Sequence, residues 1–479
     1  MIETSTAEER PGRRGLLAAA AGMAGAAMAM AVSQPAQAET VSTTTLDWYN
    51  VMDYKAVGNG TTDDTAAVQA AIDAAAAGGI GGTVYFPAGQ YLVTPGTNGP
   101  NTPALTVPAT VVVAGAPEPV PVRGIRLVGA SSRASTLVKG GPGILLRMSG
   151  TGPDLSSDAN GSTHLSYCAI EDLGFNGNSK TGLLLELYYT DNCYVRDVYM
   201  SDNNDICIDG VEFWDSRFYN LAIAACTGSE DSTTQPNIWL RNSSAAASGS
   251  WGYSLDNVNQ IHFIGCRLED FGTGALWITQ GSAGTNNPNG IYLTDCKFET
   301  TEMQGGPHLK VDSSCKHVYA SNIYAFAGGF ATGYTKPQNI ISWAGIASAL
   351  ENVLIANGST GTINSGVDLY SGGTSTAVLR NVVGLYTTAP TGSHIYYEAS
   401  STGDFRVENS YGSTGQQAGG TLPTRNQANP PLRLIQGPVS DASFTSTPAD
   451  GTLAVDSSSQ TPRLYVRVGG AWLWTTLNT

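Results

Sequence analysis

Two acidic residues and one arginine occupy equivalent positions after apolar triplets in the middle of the chain. Glu186, Asp209 and Arg241 each follow such a triplet directly. Because alternate residues of a strand point to the same side, we expect these three side chains to form a row on the outer surface of stacked strands. Glycoside hydrolysis requires paired carboxylates as acid and as base or nucleophile. We therefore predict Glu186 and Asp209 as a catalytic pair, with Asp205 as a supporting acid.

Aromatic and basic residues near this row predict a surface that binds sugars. Trp239 and Trp277 are the middle residues of two such triplets, and we expect both to point outward. An exposed indole face stacks against the C–H face of a sugar ring. Arg241 and Lys310 are predicted to contact charged groups of the substrate. The alternative is a ladder of surface ion pairs without a ligand, which is common on outward strand faces.

A repeated bend residue indicates the architecture that would hold these side chains. Two strand residues followed by Asn, Asp or Gly recur in steps of 23 to 30 residues, with one step of 45. These residue types tolerate the left-handed backbone conformation that a sharp bend between strands requires. Repeats of this length are typical of solenoids, so we predict an all-β, parallel β-helix. The predicted bends are Asp172, Asp197, Asn220, Gly265, Asp295, Asn322, Asn352, Asn381 and Asn409.

The segment 48–91 carries the most specific motif of the chain. It begins with WYNVMDYKAVGNGTTDDT, continues with a helical run at 66–77, and ends with GGTVYFPAGQY. Asp63 or Asp64 is predicted to accept hydrogen bonds from the first free N–H groups of the helix. One apolar face of this helix is predicted to close the open end of the solenoid.

This segment resembles the opening of the pectate-lyase superfamily, which is also described as rhamnogalacturonase/epimerase-like or glycoside hydrolase family 28-related. The resemblance implies a single-stranded, right-handed parallel β-helix over about residues 47–412, with an N-terminal capping helix and a polysaccharide partner. The catalytic motifs of the family do not accompany it. No GHG, RIK or DPHE sequence occurs, and SKTG at 179–182 stands where NTDG is expected. Only Asp205, in the place of the DDC motif, is carried over.

The first 38 residues are predicted to be a signal peptide. Arg13 and Arg14 precede a small, apolar run that ends at the Ala-Gln-Ala cleavage pattern of residues 36–38. The adjacent arginines favour twin-arginine export, and an ordinary secretory signal is the alternative. We therefore expect a secreted, extracellular protein.

The C-terminal part is predicted to consist of a linker at 413–440 and a small β module at 441–479. The linker is rich in Gly, Pro, Gln and Asn, whereas the module contains short alternating strands around turns. We expect the module to bind carbohydrate, to support an oligomer such as a homotrimer, or to cap the last coil.

The charge, cysteine and histidine content of the chain limits the classes of partner and cofactor that it is expected to bind. A formal net charge of −15 disfavours nucleic acid and anionic membranes, so neither is expected. The seven cysteines include no CxxC pair and are predicted to be buried free thiols. The five histidines lack the spacing of a zinc site, and no metal residues are predicted. No cofactor is expected, except a Ca²⁺ ion held by carboxylates if the chemistry is that of a lyase.

Three functions are consistent with these residues. The first hypothesis is a glycoside hydrolase that degrades a pectin-like or microbial polysaccharide. The second is a lyase or epimerase acting on uronate polymers, in which Arg241 and Lys310 would neutralise the substrate carboxylate. The third is a non-catalytic, tailspike-like protein that binds glycans. Release of sugar products separates the first two hypotheses from the third.

Overall fold

The structure is a computed structural model, and it describes most of the chain after residue 47. The predicted signal peptide at 1–38 lies outside the described residues. The described ranges are 48–96, 101–152, 164–226, 236–241, 258–279, 287–301, 306–329, 339–358, 363–370, 375–397, 404–413, 416–420, 433–435, 453–456, 463–468 and 471–476.

Three ladders of parallel strands, here called sheets A, B and C, form the solenoid, and the chain visits them in turn. Sheet A carries the predicted site. Its strands are Pro103–Val107, Ile144–Met148, Leu185–Asp191, Ile208–Trp214, Ile238–Arg241, Leu276–Thr279, Leu309–Val311, Asn339–Trp343, Ser365–Leu369, Ser393–Tyr397 and Gln416–Gly420.

Sheet B follows sheet A in each coil. The two-residue strand Leu165–Ser166 joins the sheets at one corner, because it pairs with both Leu185–Asp191 and Arg123–Gly129. The strands of sheet B are Trp48–Asn50, Ile80–Phe86, Arg123–Gly129, Ala169–Glu171, Tyr194–Arg196, Arg217–Tyr219, Asn259–Ile264, Asn289–Thr294, Lys316–Ala327, Ser348–Asn357, Thr376–Tyr386 and Asp404–Glu408.

Sheet C completes each coil, and the second halves of the three longest sheet B strands belong to it. Its other strands are Asn59–Asp63, Gly89–Val93, Ser135–Lys139, Gly174–Lys180, Tyr199–Asn203, Ala222–Cys226, Arg267–Phe271, Lys297–Thr300 and Tyr411–Gly412. The short strands Thr110–Val111 and Val120–Pro121 pair antiparallel outside these ladders. The predicted all-β parallel β-helix is therefore confirmed.

The predicted bends lie between sheets B and C. Eight of the nine are Asn or Asp, and all eight have a left-handed φ between 46° and 56°. Gly265 has a φ of 64°. Neighbouring bend side chains also bond to each other, as where Asn381 Nδ2 donates to Asn352 Oδ1 at 2.9 Å. The bends thus supply both the required backbone conformation and a ladder of side-chain hydrogen bonds.

The core is the space between the three sheets. Side chains that alternate inward along sheet B are fully buried and stack between coils, and the rings of Phe218 and Phe263 are 4.6 Å apart and parallel within 6°. All seven cysteines are buried and free, as predicted. Burial of such continuous apolar stacks is the main stabilising contribution to a solenoid.

A helix lies at the N-terminal end of the solenoid. It spans Thr65–Ala76, follows the 3₁₀ helix Val51–Tyr54, and buries one apolar face as predicted. Asp63 acts as expected, since its Oδ1 accepts the Thr65 N–H at 3.0 Å. Asp64 does not cap the helix, because its carboxylate accepts the N–H groups of Val57 and Gly58 at 2.6 and 3.0 Å. Asp64 instead holds the preceding turn.

The C-terminal boundaries differ from the prediction. The strand Gln416–Gly420 pairs with Ser393–Tyr397 of sheet A, so the solenoid extends into the predicted linker at 413–440. The composition of Gln416–Gly420 is that of a loop, and this segment is a strand because it pairs with a neighbouring coil. A separate four-stranded sheet follows, and its first strand also begins before residue 441. Its strands are Arg433–Ile435, Leu453–Asp456, Arg463–Val468 and Ala471–Thr476.

The one α-helix in the described part of the chain is Thr65–Ala76. No helix among those residues is long and apolar enough to span a bilayer.

Candidate functional site: a cleft on sheet A

One outward row of sheet A contains most of the predicted site residues. The register of successive strands places Glu186 directly beside Asp209, and Asp209 beside Trp239. Neighbouring strands are about 4.8 Å apart, so the row is a continuous line along the solenoid. In strand order this row, called the A row below, is Arg147, Glu186, Asp209, Trp239, Trp277, Lys310, Ser342, Asp368 and Tyr396.

Arg241 lies in the next outward row rather than in line with the two carboxylates. It pairs in register with Val211, which is two residues beyond Asp209 on its strand. Its guanidinium nevertheless reaches back to the A row and contacts Asp209. The expected row of Glu186, Asp209 and Arg241 is therefore corrected to a diagonal contact.

The register differs from the prediction because of how the strands begin. The N–H groups of Cys207 and Ile208 both donate to the carbonyl of Asn237, at 2.9 and 3.0 Å. Two successive residues that share one acceptor cannot alternate sides, and both Cys207 and Ile208 are fully buried. Leu184, the middle residue of the triplet 183–185, is fully buried in the same way.

Glu186 is held in a bidentate ion pair with Arg147. Arg147 Nε donates to Glu186 Oε1 at 2.6 Å, and Arg147 Nη2 donates to Oε2 at 3.2 Å. The Ser149 hydroxyl also donates to Oε1 at 3.0 Å. Glu186 is only 5% exposed, whereas the Arg147 side chain is 31% exposed. Both carboxylate oxygens thus accept hydrogen bonds, and the guanidinium forms part of the cleft wall.

Asp209 is the centre of a second cluster. Its Oδ2 accepts the Tyr188 hydroxyl at 2.5 Å and Arg241 Nη2 at 2.7 Å. Its Oδ1 accepts Arg241 Nε at 3.2 Å. Arg241 Nη2 also lies 3.4 Å from the Tyr188 hydroxyl, so all three groups contact one another. Asp209 is 3% exposed, and the Arg241 side chain is 32% exposed.

This cluster fixes the protonation of its phenol and guanidinium. Burial raises the pKa of Tyr188 well above its ordinary value, and the neighbouring Asp209 carboxylate adds to the increase. Burial opposes the charge of Arg241, but the Asp209 carboxylate outweighs burial and raises the pKa of the guanidinium. The cluster is therefore a neutral phenol beside an ion pair at ordinary pH.

Both ion pairs open into one cleft of about 640 Å³. Its floor contains Glu186 and Asp209, and its rim includes Gly182 and Leu183. The remaining lining residues are Asn101, Ile144, Arg147, Ser149, Gly150, Tyr188, Tyr189, Asp205 and Arg241. Such a cavity is large enough for part of a sugar chain.

Asp205 lines this cleft, but both of its carboxylate oxygens accept hydrogen bonds from backbone N–H groups. Its Oδ2 accepts the Gly182 N–H at 3.0 Å, and its Oδ1 accepts the Ile206 N–H at 2.8 Å. Lys139, which is fully buried, supports the same rim by donating to the Gly182 carbonyl at 2.7 Å. The contacts of Asp205 are those of a residue that shapes the rim.

Trp239, Trp277 and Lys310 continue the A row beyond the cleft, but they do not form an open platform. Trp239 is half-buried beneath Arg241, whose Cζ lies 4.4 Å from the ring centroid. Trp277 is 7% exposed, its Nε1 donates to the Pro307 carbonyl at 3.0 Å, and Lys310 Nζ lies 5.2 Å from its ring. Trp239 is thus the more accessible of the two indoles.

Three residues of the cleft were missed in the sequence. Arg147 lies one strand before the strand of the triplet 183–185, and its outward position follows from the alternation in Ile144–Met148. Tyr188 lies two residues after Glu186 and therefore on the same face. Ser149 lies two residues after Arg147 by the same rule. Extending the period-two pattern one strand earlier and two residues further would have found all three.

Metal-binding residues do not cluster in the described residues. No group of three or more His, Cys, Asp or Glu side chains there is arranged to hold a metal ion.

Comparisons with known proteins agree with the fold and with the N-terminal motif. Residues 48–141 match the family model described as rhamnogalacturonase A/epimerase, pectate lyase-like. The A-module of mannuronan C-5 epimerase AlgE6 of Azotobacter vinelandii has a similar structure, with a TM-score of 0.50 and 17% identity. That similarity covers 79% of this chain and 97% of the module. At this identity the structural similarity establishes the fold alone.

Two curated relatives match over short stretches. Mannuronan C5-epimerase AlgE5 of Azotobacter vinelandii is 56% identical over 68 residues, which are 14% of this chain and 7% of that protein. Plasmin and fibronectin-binding protein A of Streptococcus pneumoniae is 64% identical over 44 residues, which are 9% of this chain and 6% of that protein. The chain spans less than a tenth of either relative, and their printed names describe different activities. The pectate-lyase-like resemblance and the parallel β-helix predicted from the sequence are confirmed.

Proposed function

We propose that this chain is a secreted protein that binds a polysaccharide along the A row and modifies it by lyase or epimerase chemistry. The observation that carries the proposal is the cluster of Tyr188, Asp209 and Arg241 at the floor of the cleft. The names of the short-stretch relatives support the direction of the proposal, since they include mannuronan C5-epimerases and an alginate lyase.

Tyr188 is the group best placed to donate a proton. Epimerisation and elimination on a uronate both begin with removal of the C5 proton, which the Asp209 carboxylate beside Tyr188 would accept. Both then need a proton donated, to the ring carbon in one case and to the leaving glycosidic oxygen in the other. Asp209 would return its proton to Tyr188 across their 2.5 Å hydrogen bond at the end of each turnover. The phenol is neutral because burial raises its pKa. Arg241 Nη2, 3.4 Å from the hydroxyl, would stabilise the phenolate that donation leaves behind.

The two arginines provide contacts for an acidic sugar. Arg147 and Arg241 are each about one-third exposed, and both line the cleft. Their ion pairs with Glu186 and Asp209 fix the guanidinium planes, so that the remaining N–H groups meet the substrate without reorganisation. In this proposal Glu186 and Asp209 position the arginines, and Trp239 supports a neighbouring sugar.

Glycoside hydrolysis, the first hypothesis from the sequence, makes a different demand on the same residues. It needs one protonated carboxyl group to act as the acid. Glu186 and Asp209 each accept guanidinium hydrogen bonds on both oxygens, so the geometry of both carboxyl groups is that of partners to the two arginines. The lyase or epimerase chemistry therefore fits the hydrogen bonds better.

The first test is an activity screen of the mature protein on alginate, pectic, glucan and bacterial capsular polymers, with and without Ca²⁺. Ultraviolet absorbance of unsaturated uronates measures elimination, NMR of the uronate configuration measures epimerisation, and reducing ends without absorbance measure hydrolysis. Unsaturated products or inverted uronates support the proposal. Reducing ends alone would establish a hydrolase and overturn it.

A variant then links the activity to the cluster. Tyr188→Phe removes only the hydroxyl, and we expect activity to fall by about 100-fold or more, the contribution typical of general acid catalysis. Tyr411→Phe changes an exposed tyrosine on sheet C and is the matched control, with activity expected to be unchanged. Equal activity of Tyr188→Phe and the unchanged protein would remove Tyr188 from the mechanism. Asp209→Asn is expected to abolish turnover while the far-ultraviolet circular dichroism stays unchanged.

A non-catalytic glycan-binding protein is the second candidate. It is favoured by one observation, namely that the catalytic motifs GHG, RIK and DPHE do not occur in the sequence. Binding of one polymer without any product after long incubation would support this second function.

A further inference from the structure

The outward face of sheet B carries a second line of side chains that the proposed function does not use. The strand register places Arg217 beside His262, and His262 beside Tyr292. This face is separate from the A row, because it belongs to a different sheet of the coil. In strand order its central row, called the B row below, is Tyr194, Arg217, His262, Tyr292, Tyr319 and Ala349.

Three rings of the B row form a stack. The rings of His262 and Tyr292 lie 4.6 Å apart at 14°, and those of Tyr292 and Tyr319 lie 5.5 Å apart at 18°. The next residue of the row is Ala349, so no further ring covers Tyr319 from the B row. Tyr319 is accordingly 39% exposed. The stack therefore ends in an aromatic ring that is open to solvent.

A cavity of about 540 Å³ lies at the other end of the stack. Tyr194 and Arg217 of the B row line it, together with Tyr219 and Arg196 of the adjacent row. Phenol rings, guanidinium groups and the side chain of Asn192 meet there, a combination of aromatic and polar groups that is typical of saccharide sites.

The two cations of this cavity differ in their partners. Arg196 forms an ion pair with the buried carboxylate of Glu171. The same carboxylate also binds Arg126 at 2.5 Å. Arg217 is exposed and makes no ion pair with any of the described residues. Burial and the nearby Arg217 both lower the pKa of His262, so the imidazole next in the row is neutral. Arg217 is thus a cation in the row that is available to a ligand.

We propose that the B row is a second glycan-binding site that takes an acidic polysaccharide strand. A sugar carboxylate would pair with Arg217 in the cavity, and the following sugars would run along the ring stack towards Tyr319. The proposal does not depend on catalysis in the sheet A cleft, because no residue is shared between the two sites.

The charged residues that line the sheet B cavity indicate which class of ligand it binds. Among the residues that line the cavity there are two guanidinium groups, Arg196 and Arg217, and one carboxylate, Asp197. Asp197 is itself engaged, since it accepts Asn220 Nδ2 at 2.8 Å and lies 3.8 Å from Arg196 Nε. A locally cationic cavity on a chain of net charge −15 is selective for an anionic ligand over a neutral one.

The test is the affinity for soluble oligogalacturonate and oligoalginate, with a neutral glucan oligosaccharide for comparison, by isothermal titration calorimetry. Using the Asp209→Asn background prevents turnover during the titration. We expect Arg217→Gln to weaken binding to the acidic oligosaccharides by about tenfold or more, the size typical of a lost charged hydrogen bond. Tyr319→Ala is expected to weaken it less. Arg267→Gln, an exposed arginine of sheet C, is the matched control and should change nothing.

Each result has a defined meaning. Loss of affinity in Arg217→Gln but not in Arg267→Gln, with weaker binding as salt is raised, supports the site. Equal affinities of the Asp209→Asn background, Arg217→Gln and Arg267→Gln would overturn it. Oligoglutamate binding as tightly as the sugars, with the same dependence on Arg217, would show a general anion site and overturn the glycan assignment. Activity of Arg217→Gln in the otherwise unchanged protein is expected to be normal on short oligosaccharides, which separates this site from the cleft.

Discussion

The outward faces of sheets A and B are built on the same repeating backbone, but the cavities on the two faces differ in how their cations are paired. On sheet A, Arg147 and Arg241 are each paired with a buried carboxylate at the floor of a cleft. On sheet B, Arg217 is exposed beside a stack of aromatic rings and has no such partner among the described residues. The sheet A cleft therefore holds both of its cations in ion pairs, whereas the sheet B cavity holds Arg196 in an ion pair with Glu171 and leaves Arg217 open.

The difference shows that inward residues are selected by the fold, whereas outward residues can be selected by a ligand. The inward residues of both sheets are apolar and alternate in the same way, since they fill one common core. The outward residues are free of that constraint, so each face can carry its own chemistry. Fixed, buried polar clusters suit a reaction, and an open cation with aromatic rings suits binding.

The largest expected effect comes from breaking the sheet A cluster. Asp209→Ala leaves Arg241 without its carboxylate in a half-buried position, and we expect a loss of about 3–5 kcal/mol in the free energy of unfolding. Arg217→Ala on sheet B removes a side chain without an ion pair, and its effect should stay within about 0.5 kcal/mol. Denaturant unfolding of the two variants measures the contrast. Equal losses in both would mean that the two faces do not differ in the way described here.

The corner between the two sheets provides the next test. His164 Nε2 lies 3.2 Å from Glu212 Oε1, and His164 Nδ1 lies 3.6 Å from Asp191 Oδ2. Burial opposes the imidazolium, but the two carboxylates outweigh it and raise the pKa of His164 to about 9. Because this value is above the ordinary one of 6.5, the stabilisation is complete below pH 6.5 and is lost as the pH rises through about 9, to the extent of roughly 3 kcal/mol.

The comparison of the unchanged protein with His164→Gln isolates this contribution. The difference in Tm between the two proteins should be large at pH 6 and should shrink above about pH 9. His317→Gln, which changes an exposed histidine on sheet B, serves as the reference for the loss of a histidine outside this corner. A difference that is constant from pH 6 to pH 10 would show that His164 contributes through packing alone.

The architecture could be predicted because its determinants are local. A residue that tolerates a positive φ is needed once per coil, and Asn or Asp at near-regular steps marks each bend without any knowledge of the rest. The placement of Glu186 beside Asp209 followed from the same repeat. The strand Gln416–Gly420 was missed because its composition is that of a loop, and only its pairing with Ser393–Tyr397 makes it a strand.

The details of the site could not be predicted because they depend on contacts between coils. The buried position of Trp277 results from Lys310 on the next strand and from the Pro307 carbonyl, both about 30 residues away. The shift of Arg241 results from the start of the strand Ile208–Trp214, where the N–H groups of Cys207 and Ile208 share the Asn237 carbonyl as acceptor. Neither effect has a signal in the residues adjacent to the affected side chain.

A smaller effect than at the sheet A cluster or at the corner is expected at the bends, which lie on neither face. Asn381 has a φ of 54°, and its side chain donates to Asn352 Oδ1. Asn381→Ala combines the loss of that hydrogen bond with backbone strain and should cost about 1–2 kcal/mol, whereas Asn381→Gly loses the bond but gains a residue suited to positive φ and should cost less. Equal costs would indicate that the hydrogen-bond ladder, rather than the backbone conformation, selects Asn here. Because the bends belong to the backbone that both sheets share, both variants should leave the binding properties of sheets A and B unchanged. Altered binding on one face alone would mean that the bend conformation affects the outward side chains of that sheet.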